Sequence, residues 1–129
     1  MDLWDFHSRG RNEILLWSKD LSKRDRAALN QKLDLLSKLD FELAQGLKLL
    51  AGPIRKTRHV LKLRVFGDTA LRPLLCRGPD SPYSEYTLLR GAKETDRGFV
   101  PQNAVEVATQ NRRLVADRPE EWRCPHVRA

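Results

Sequence analysis

The sequence predicts an α+β fold in which an N-terminal helical pair packs on a small antiparallel sheet and a C-terminal helix follows. Leucines recur at helical spacing from Leu29 to Leu39, as in a helix with one face in the core. After Pro53 the period changes to two, and apolar and basic residues alternate from Val60 to Phe66. Helical segments and strand segments are therefore grouped along the chain, which is typical of an α+β arrangement.

The N-terminal part of the chain predicts one short strand and two helices. Leu3 to His7 alternates as a strand does, and residues 12–20 hold an apolar run without Gly or Pro that favours a short helix. Ser22, with Asp25 three residues later, resembles the capping start of a second helix. Two helices joined by so short a link should pack as an antiparallel pair. Residues 41–51 indicate a further helical turn.

The middle of the chain predicts a sheet rich in hairpins. The strand from Val60 to Phe66 is followed by a turn at Gly67-Asp68-Thr69, a second strand from Leu71 to Cys76 and a third from Glu85 to Arg90. Pro73 has no backbone N–H, so we expect a bulge or an unpaired strand edge there.

The last third of the sequence predicts a loop, a helix and a tail. Residues 91–100 are polar and irregular, Pro101 suits the first turn of a helix, and Pro119 ends it. We therefore expect one domain over residues 1–119 and a mobile tail over residues 120–129.

Composition narrows the class of protein. The chain has 129 residues, 40% apolar and 32% charged, which fits one folded domain. Its apolar runs are too short to span a bilayer and its N-terminus lacks a secretory pattern, so we expect a cytoplasmic protein without a membrane partner. Cys76 and Cys124 provide no disulfide framework. Cys124 and His126 are too few for a tetrahedral metal site, so we expect no metal and no cofactor.

The net charge of +7 is concentrated in one segment. Residues 52–100 contain ten Lys and Arg against five Asp and Glu, whereas the flanking segments are close to balanced. Charge of one sign on one segment attracts polyanions, so this segment favours contact with nucleic acid.

The spacing of the basic residues predicts that they converge. Lys62 and Arg64 are two apart on a strand and would share a face. Arg72 would lie on the neighbouring strand, and Lys93 follows the third strand. Four cations on one sheet surface repel each other, and the arrangement is explicable if a phosphate backbone occupies it.

Several motifs taken together resemble the RelE/HigB-type toxin superfamily, and in particular its phage-associated HigB-like branch. They are Lys62-Leu63-Arg64, a glycine turn, Arg72, Tyr86-Thr87-Leu88-Leu89-Arg90-Gly91-Ala92-Lys93, and Pro101 leading into an Ala/Val helix. The resemblance covers roughly residues 12–116, and the order and spacing of the motifs carry it rather than any motif alone.

The resemblance implies a ribosome-dependent mRNA endonuclease, the toxin of a type II toxin–antitoxin pair, whose partners are mRNA on the ribosome and a helix-turn-helix antitoxin. It implies metal-independent attack by the ribose 2′-oxygen, with fixed cations stabilising the transition state. The candidate catalytic residues are Lys62, Arg72, Lys93 and His59. The candidate RNA-binding residues are Arg64, Arg90, Arg97 and Phe99.

The groups that would move the proton are less obvious. Phe99 stands where many members of that superfamily have Tyr or His, and it would either stack on a base or cover the core. His59 has a suitable ordinary pKa for acid–base work, and Lys62 with a lowered pKa is another candidate base. Two alternatives stay open: a fold that binds RNA, the ribosome or an antitoxin without cleavage, and an unrelated basic protein.

Overall fold

The structure, a computed structural model, describes all residues from 1 to 129. The helices are α1 (Glu13–Lys19), α2 (Lys23–Leu36), α3 (Phe41–Gly46), α4 (Ala104–Asp117) and α5 (Pro119–Trp122). The strands are β1 (Asp2–Ser8), β2 (Arg11–Asn12), β3 (Leu50–Ala51), β4 (Leu61–Leu63), β5 (Val65–Phe66), β6 (Ala70–Leu71), β7 (Leu74–Arg77), β8 (Glu85–Arg90), β9 (Lys93–Thr95), β10 (Gly98–Val100) and β11 (Arg123–Pro125).

The strands form two sheets. The larger sheet has seven strands in the order β11-β1-β8-β7-β4-β3, with β2 beside β1. Within it β1 runs parallel to β8, and the other pairs are antiparallel. The smaller sheet has four strands in the order β10-β9-β6-β5. The chain passes from the larger sheet into the smaller one at Arg64 and returns at Arg72-Pro73, so the two sheets adjoin.

Three of the helices begin at side chains that satisfy an otherwise unpaired backbone N–H group. Asn12 accepts a hydrogen bond from the N–H of Leu15, and Ser22 accepts one from the N–H of Asp25. Asp40 does the same for α3. These polar residues stop the preceding segment and start each helix, because the first turn of a helix has no backbone acceptor for its N–H groups.

Helices cover both faces of the larger sheet. Leu29, Leu33 and Leu36 of α2 belong to the larger core cluster, together with Leu88 of β8. Leu89, the next residue of β8, belongs instead to a second cluster under α4. Adjacent strand residues point to opposite faces, so α2 and α4 lie on opposite sides of the sheet.

A glycine allows one helix to approach the end of β8. A Cβ atom built on Gly91 would lie 2.0 Å from Cδ2 of the Trp17 ring, well inside van der Waals contact. Position 91 therefore accepts only a residue without a side chain while α1 keeps its place.

The expected arrangement, an N-terminal helical pair on a small antiparallel sheet, is wrong. The structure is α+β, but it has a seven-stranded sheet with one parallel pair and a second, four-stranded sheet, and two strands precede the first helix. The additional strands β2, β3, β9, β10 and β11 have only two or three residues each, which is too few for an alternating apolar pattern to show in the sequence.

The sequence predicts a mobile tail over residues 120–129, whereas the structure joins this segment to the sheet. Strand β11 pairs with β1, and Arg123 is buried against Glu85. The buried carboxylate of Asp5 accepts a hydrogen bond from the N–H of Val127 at 3.0 Å and lies 2.8 Å from Nδ1 of His126. None of the helices is long and apolar enough to cross a bilayer.

Candidate functional site

Two of the predicted catalytic cations meet at a carboxylate where the two sheets adjoin. The ammonium group of Lys62 lies 3.0 and 2.9 Å from the two carboxylate oxygens of Glu94. Nε of Arg72 donates to the same carboxylate at 3.0 Å. We call Lys62, Arg72 and Glu94 the Glu94 cluster. The convergence of Lys62 and Arg72 follows the expectation, but the cations are paired rather than free.

Strand alternation positions Lys62. Its neighbours Leu61 and Leu63 are buried in the core under α2, so Lys62 projects to the opposite face. There it is in register with Leu74, which belongs to the cluster under α4. Lys62 therefore emerges on the face that α4 covers, beyond the contacts of that helix.

Backbone hydrogen bonds hold Arg72. Its N–H donates to the carbonyl of Ala92, and its Nη1 donates to the carbonyls of Leu71 at 2.8 Å and Val65 at 3.3 Å. The residue is only 7% exposed. Its Nη2 makes no hydrogen bond within the chain, so one donor group of a firmly held guanidinium remains for a ligand.

The electrostatics of the Glu94 cluster keep its carboxylate ionised. Burial acts to raise the pKa of Glu94, but hydrogen bonds and charge from Lys62 and then Arg72 outweigh it, so the pKa lies below the ordinary value. Glu94 is therefore a carboxylate at neutral pH.

Two phenylalanines flank the Glu94 cluster. The ring of Phe66 is centred 4.7 Å from the guanidinium carbon of Arg72, and the ring of Phe99 is centred 5.6 Å from Nζ of Lys62. Phe66 is 69% exposed, whereas Phe99 is partly buried against the cluster under α4. An exposed ring beside fixed cations is suited to stacking with a nucleobase.

Lys93 lies on the other side of the sheet. It is adjacent to Glu94 on β9, so their side chains point to opposite faces. Consistent with this, Lys93 acts on Asp25 at the start of α2. Burial acts to raise the pKa of Asp25, but hydrogen bonds from Thr69 and Asp68 outweigh it and lower this pKa. The charge of Lys93 makes a smaller contribution in the same direction.

The other basic candidates are dispersed. Arg64 donates to the carbonyl of Lys48 at 3.2 Å, in a depression that Phe66 also lines. Arg90 lines a separate cavity beside Trp17, and its Nε is buried without a hydrogen-bond partner. Arg97 is exposed in the turn between β9 and β10.

His59 does not join the Glu94 cluster. It lines a different cavity, between the segment that precedes β4 and helix α4, and none of the three cluster residues lines that cavity. Partial burial, and then the charges of Arg112 and Arg58, lower the pKa of His59. The imidazole is therefore neutral at neutral pH, and its neighbours are cations.

The residues that sequence reasoning missed are Glu94, Phe66 and the α4 arginines beside His59. Glu94 is the centre of the site, although it lies in the segment 91–100 that the sequence predicts as an irregular loop. No pattern in the sequence indicates its position, because only the structure shows that Ala92, two residues earlier, is buried under α4.

Nothing in the structure brings together three or more His, Cys, Asp or Glu side chains able to hold a metal ion. Burial raises the pKa of the Cys76 thiol to about 12, which makes it a poor nucleophile and a poor ligand at neutral pH. Comparisons with protein-family models, with curated proteins and with solved structures find no match to this chain.

Proposed function

We propose that this protein is an endoribonuclease that acts in the cytoplasm on mRNA at the ribosome, as the toxin of a toxin–antitoxin pair, with the Glu94 cluster as its active site. One observation carries the proposal: a carboxylate lies between two cations beside an exposed phenylalanine. A proton acceptor next to two phosphate ligands is the minimum that cleavage by a ribose 2′-oxygen requires.

Each residue of the Glu94 cluster has a role in this chemistry. A carboxylate oxygen of Glu94 accepts the proton of the 2′-hydroxyl while the 2′-oxygen attacks the adjacent phosphorus. Arg72 and Lys62 donate hydrogen bonds to the phosphate oxygens, whose negative charge increases in the transition state. The bond from phosphorus to the 5′-oxygen breaks, and that oxygen takes a proton from solvent. The products are a 2′,3′-cyclic phosphate and a free 5′-hydroxyl end.

Binding of RNA would compete with the ion pairs. The incoming phosphate would first bind the free Nη2 of Arg72 and then replace Glu94 at Lys62, which frees a carboxylate oxygen to act as the base. The exposed ring of Phe66 would stack on a base next to the cleaved bond.

The test is to map new mRNA 5′-ends after controlled expression, and with purified ribosomes and mRNA. We expect wild-type protein to cut, and Glu94→Gln to cut about 100-fold more slowly because the base is lost. Glu106→Gln, which neutralises an exposed carboxylate on α4, is the matched control and should cut like wild type. The nuclease proposal fails if wild type produces no new ends, or if Glu94→Gln is as active as wild type.

A second candidate function is RNA binding without cleavage, and a specific observation favours it. Glu94 forms ion pairs with both Lys62 and Arg72, and His59, the other candidate for acid–base chemistry, lies outside the cluster. The partner would be ribosomal or messenger RNA, or a helix-turn-helix antitoxin.

Binding alone predicts RNA association that weakens with salt, without new 5′-ends. Lys62→Met should reduce the slope of log affinity against log salt by about one if Lys62 contacts a phosphate. An unchanged slope, together with unchanged affinity, would remove Lys62 from the interface.

A further inference from the structure

A second concentration of positive charge lies away from the Glu94 cluster. Eight residues line the cavity between the segment that precedes β4 and helix α4, and its volume is about 380 Å³. Five of them are basic, and we call these five the basic pocket: Lys56, Arg58, His59, Arg112 and Arg113. No Asp or Glu lines the cavity, and only one apolar residue does.

The cations of the basic pocket have no acidic partner. Neither Lys56, Arg58, Arg112 nor Arg113 forms a salt bridge, although arginines elsewhere in the chain do. Nε of Arg112 is buried and has no hydrogen-bond partner. Buried donors in folded proteins are generally paired, so an unpaired one at a charged cavity indicates a missing acceptor.

The thiol of Cys76 does not neutralise Arg112. Burial raises the pKa of this thiol to about 12, and it outweighs the charge of Arg112 and a side-chain hydrogen bond with Arg112, both of which act to lower that pKa. The thiol is neutral at any physiological pH, so the charge of Arg112 is not neutralised from within the protein.

The backbone around the basic pocket is held in place. The N–H of Ile54 donates to the carbonyl of Val60 at 2.8 Å, and the N–H and hydroxyl of Thr57 both donate to the carbonyl of Ile54. This closed loop fixes the backbone that carries Lys56, Arg58 and His59 opposite α4, while their side chains are exposed. A backbone held in advance of binding loses less entropy when an anion arrives.

We propose that the basic pocket binds a phosphate group, carried either by a free phosphate ester of nucleotide size or by one position of a nucleic-acid strand. Guanidinium groups match phosphate oxygens in pairs of hydrogen bonds, and three arginines meet here. The cavity volume exceeds that of one phosphate and falls in the range of small-ligand sites. The site does not depend on cleavage at the Glu94 cluster.

Binding would change the titration of His59. The groups that face its ring are all basic: Lys56, Arg58, Arg112 and Arg113 in the basic pocket, and Arg77 in the adjoining cavity, which also contains no carboxylate. An added anion would offset the charges of Arg112 and Arg58 that help to lower the pKa of His59. The pKa of this imidazole therefore rises when the site is filled.

The experiment follows the imidazole resonances of the full chain by NMR at constant ionic strength, with inorganic phosphate, adenosine monophosphate and a twelve-nucleotide single-stranded RNA as probes. We expect saturable shifts of the His59 resonances and an increased pKa of His59. The resonances of His7 and His126 would reveal binding elsewhere on the protein, and we expect them not to shift. The double variant Arg58→Gln, Arg113→Gln should bind each probe at least ten-fold more weakly. Lys23→Gln, Arg24→Gln removes two exposed cations from α2 and should bind as wild type does.

The probes distinguish the two carriers of the phosphate. Equal affinity per molecule for the monophosphate and the RNA assigns the site to a free ester. Tighter RNA binding that requires Arg58 and Arg113 assigns it to a strand. The proposal is overturned if no probe gives a saturable shift at His59, or if the double variant binds as tightly as wild type. None of these outcomes bears on cleavage, because the Glu94→Gln variant tests cleavage separately.

Discussion

The Glu94 cluster and the basic pocket both gather cations from distant parts of the chain, but only the first contains a carboxylate. Lys62 and Arg72 share Glu94 at distances near 3 Å, whereas the cations beside His59 have no acidic neighbour. The count of basic residues in a segment does not distinguish these cases. The ion pairs of the Glu94 cluster join residues of the two sheets. The positive charge of the basic pocket has no acidic side chain beside it and can attract an external anion.

The largest expected effect comes from removing the carboxylate. Glu94→Gln should lower the free energy of unfolding by about 2 kcal/mol, because it leaves Arg72 buried and Lys62 half-buried without their counter-charge. Urea unfolding followed by circular dichroism measures the change, with Glu106→Gln as the control. If both variants unfold at the same urea concentration as wild type, the cluster contributes as little as an exposed ion pair.

The pH dependence of that difference is the second prediction. The folded pKa of Glu94 lies below its ordinary value of 4.5, so its ionisation contributes stability that is complete above that value. The contribution is lost as the pH falls through the lower folded pKa. The gap in unfolding free energy between wild type and Glu94→Gln should therefore be constant near neutral pH and close on acidification. A gap that is the same at pH 7 and pH 3 would assign the effect to shape rather than charge.

The smallest expected effect has the opposite sign and belongs to the basic pocket. Arg113→Gln should raise the free energy of unfolding by about 0.3 kcal/mol at low salt, because it relieves repulsion among cations that have no acidic neighbour. The gain should disappear at about 0.5 M sodium chloride, where screening is strong. Thermal unfolding at the two salt concentrations measures it. A loss of stability at low salt would show that Arg113 has a favourable partner within the fold.

Elements with strong local patterns could be predicted from the sequence. The strand from Glu85 to Arg90 has the expected bounds, and the capping side chain of Ser22 starts α2 as expected. The hairpin of β9 and β10 and the strand β11 could not be predicted, because each of these strands has only three residues, too few for a period to show. Strand β11 also depends on a partner far away in the sequence, β1, whereas β9 and β10 pair with each other.

The candidate site was only half predictable for a related reason. The expected turn placed Arg72 beside Lys62, as the structure does, but alternation also placed Arg64 with Lys62, and the end of the third strand placed Lys93 there. In the structure Leu89 and Ala92 both contact the cluster under α4, although an unbroken strand would point them to opposite faces. The chain therefore shifts its register by one residue near Gly91. That shift turns Lys93 toward α2 and brings Glu94 to the two cations.

The position of β1 between β8 and β11 has a consequence for how the chain is made. Strand β1 precedes the other strands of the chain, but β8 and the three-residue β11, which flank it in the larger sheet, are synthesised much later. At translation rates of about 5–20 residues per second, its residues wait on the order of several seconds for β8 and longer for β11. During that time the part of β1 that holds Trp4 and Phe6 has no partner strand, because β2 pairs only with His7 and Ser8. Strand β1 therefore leaves the ribosome before the other ten strands and is among the last to be enclosed.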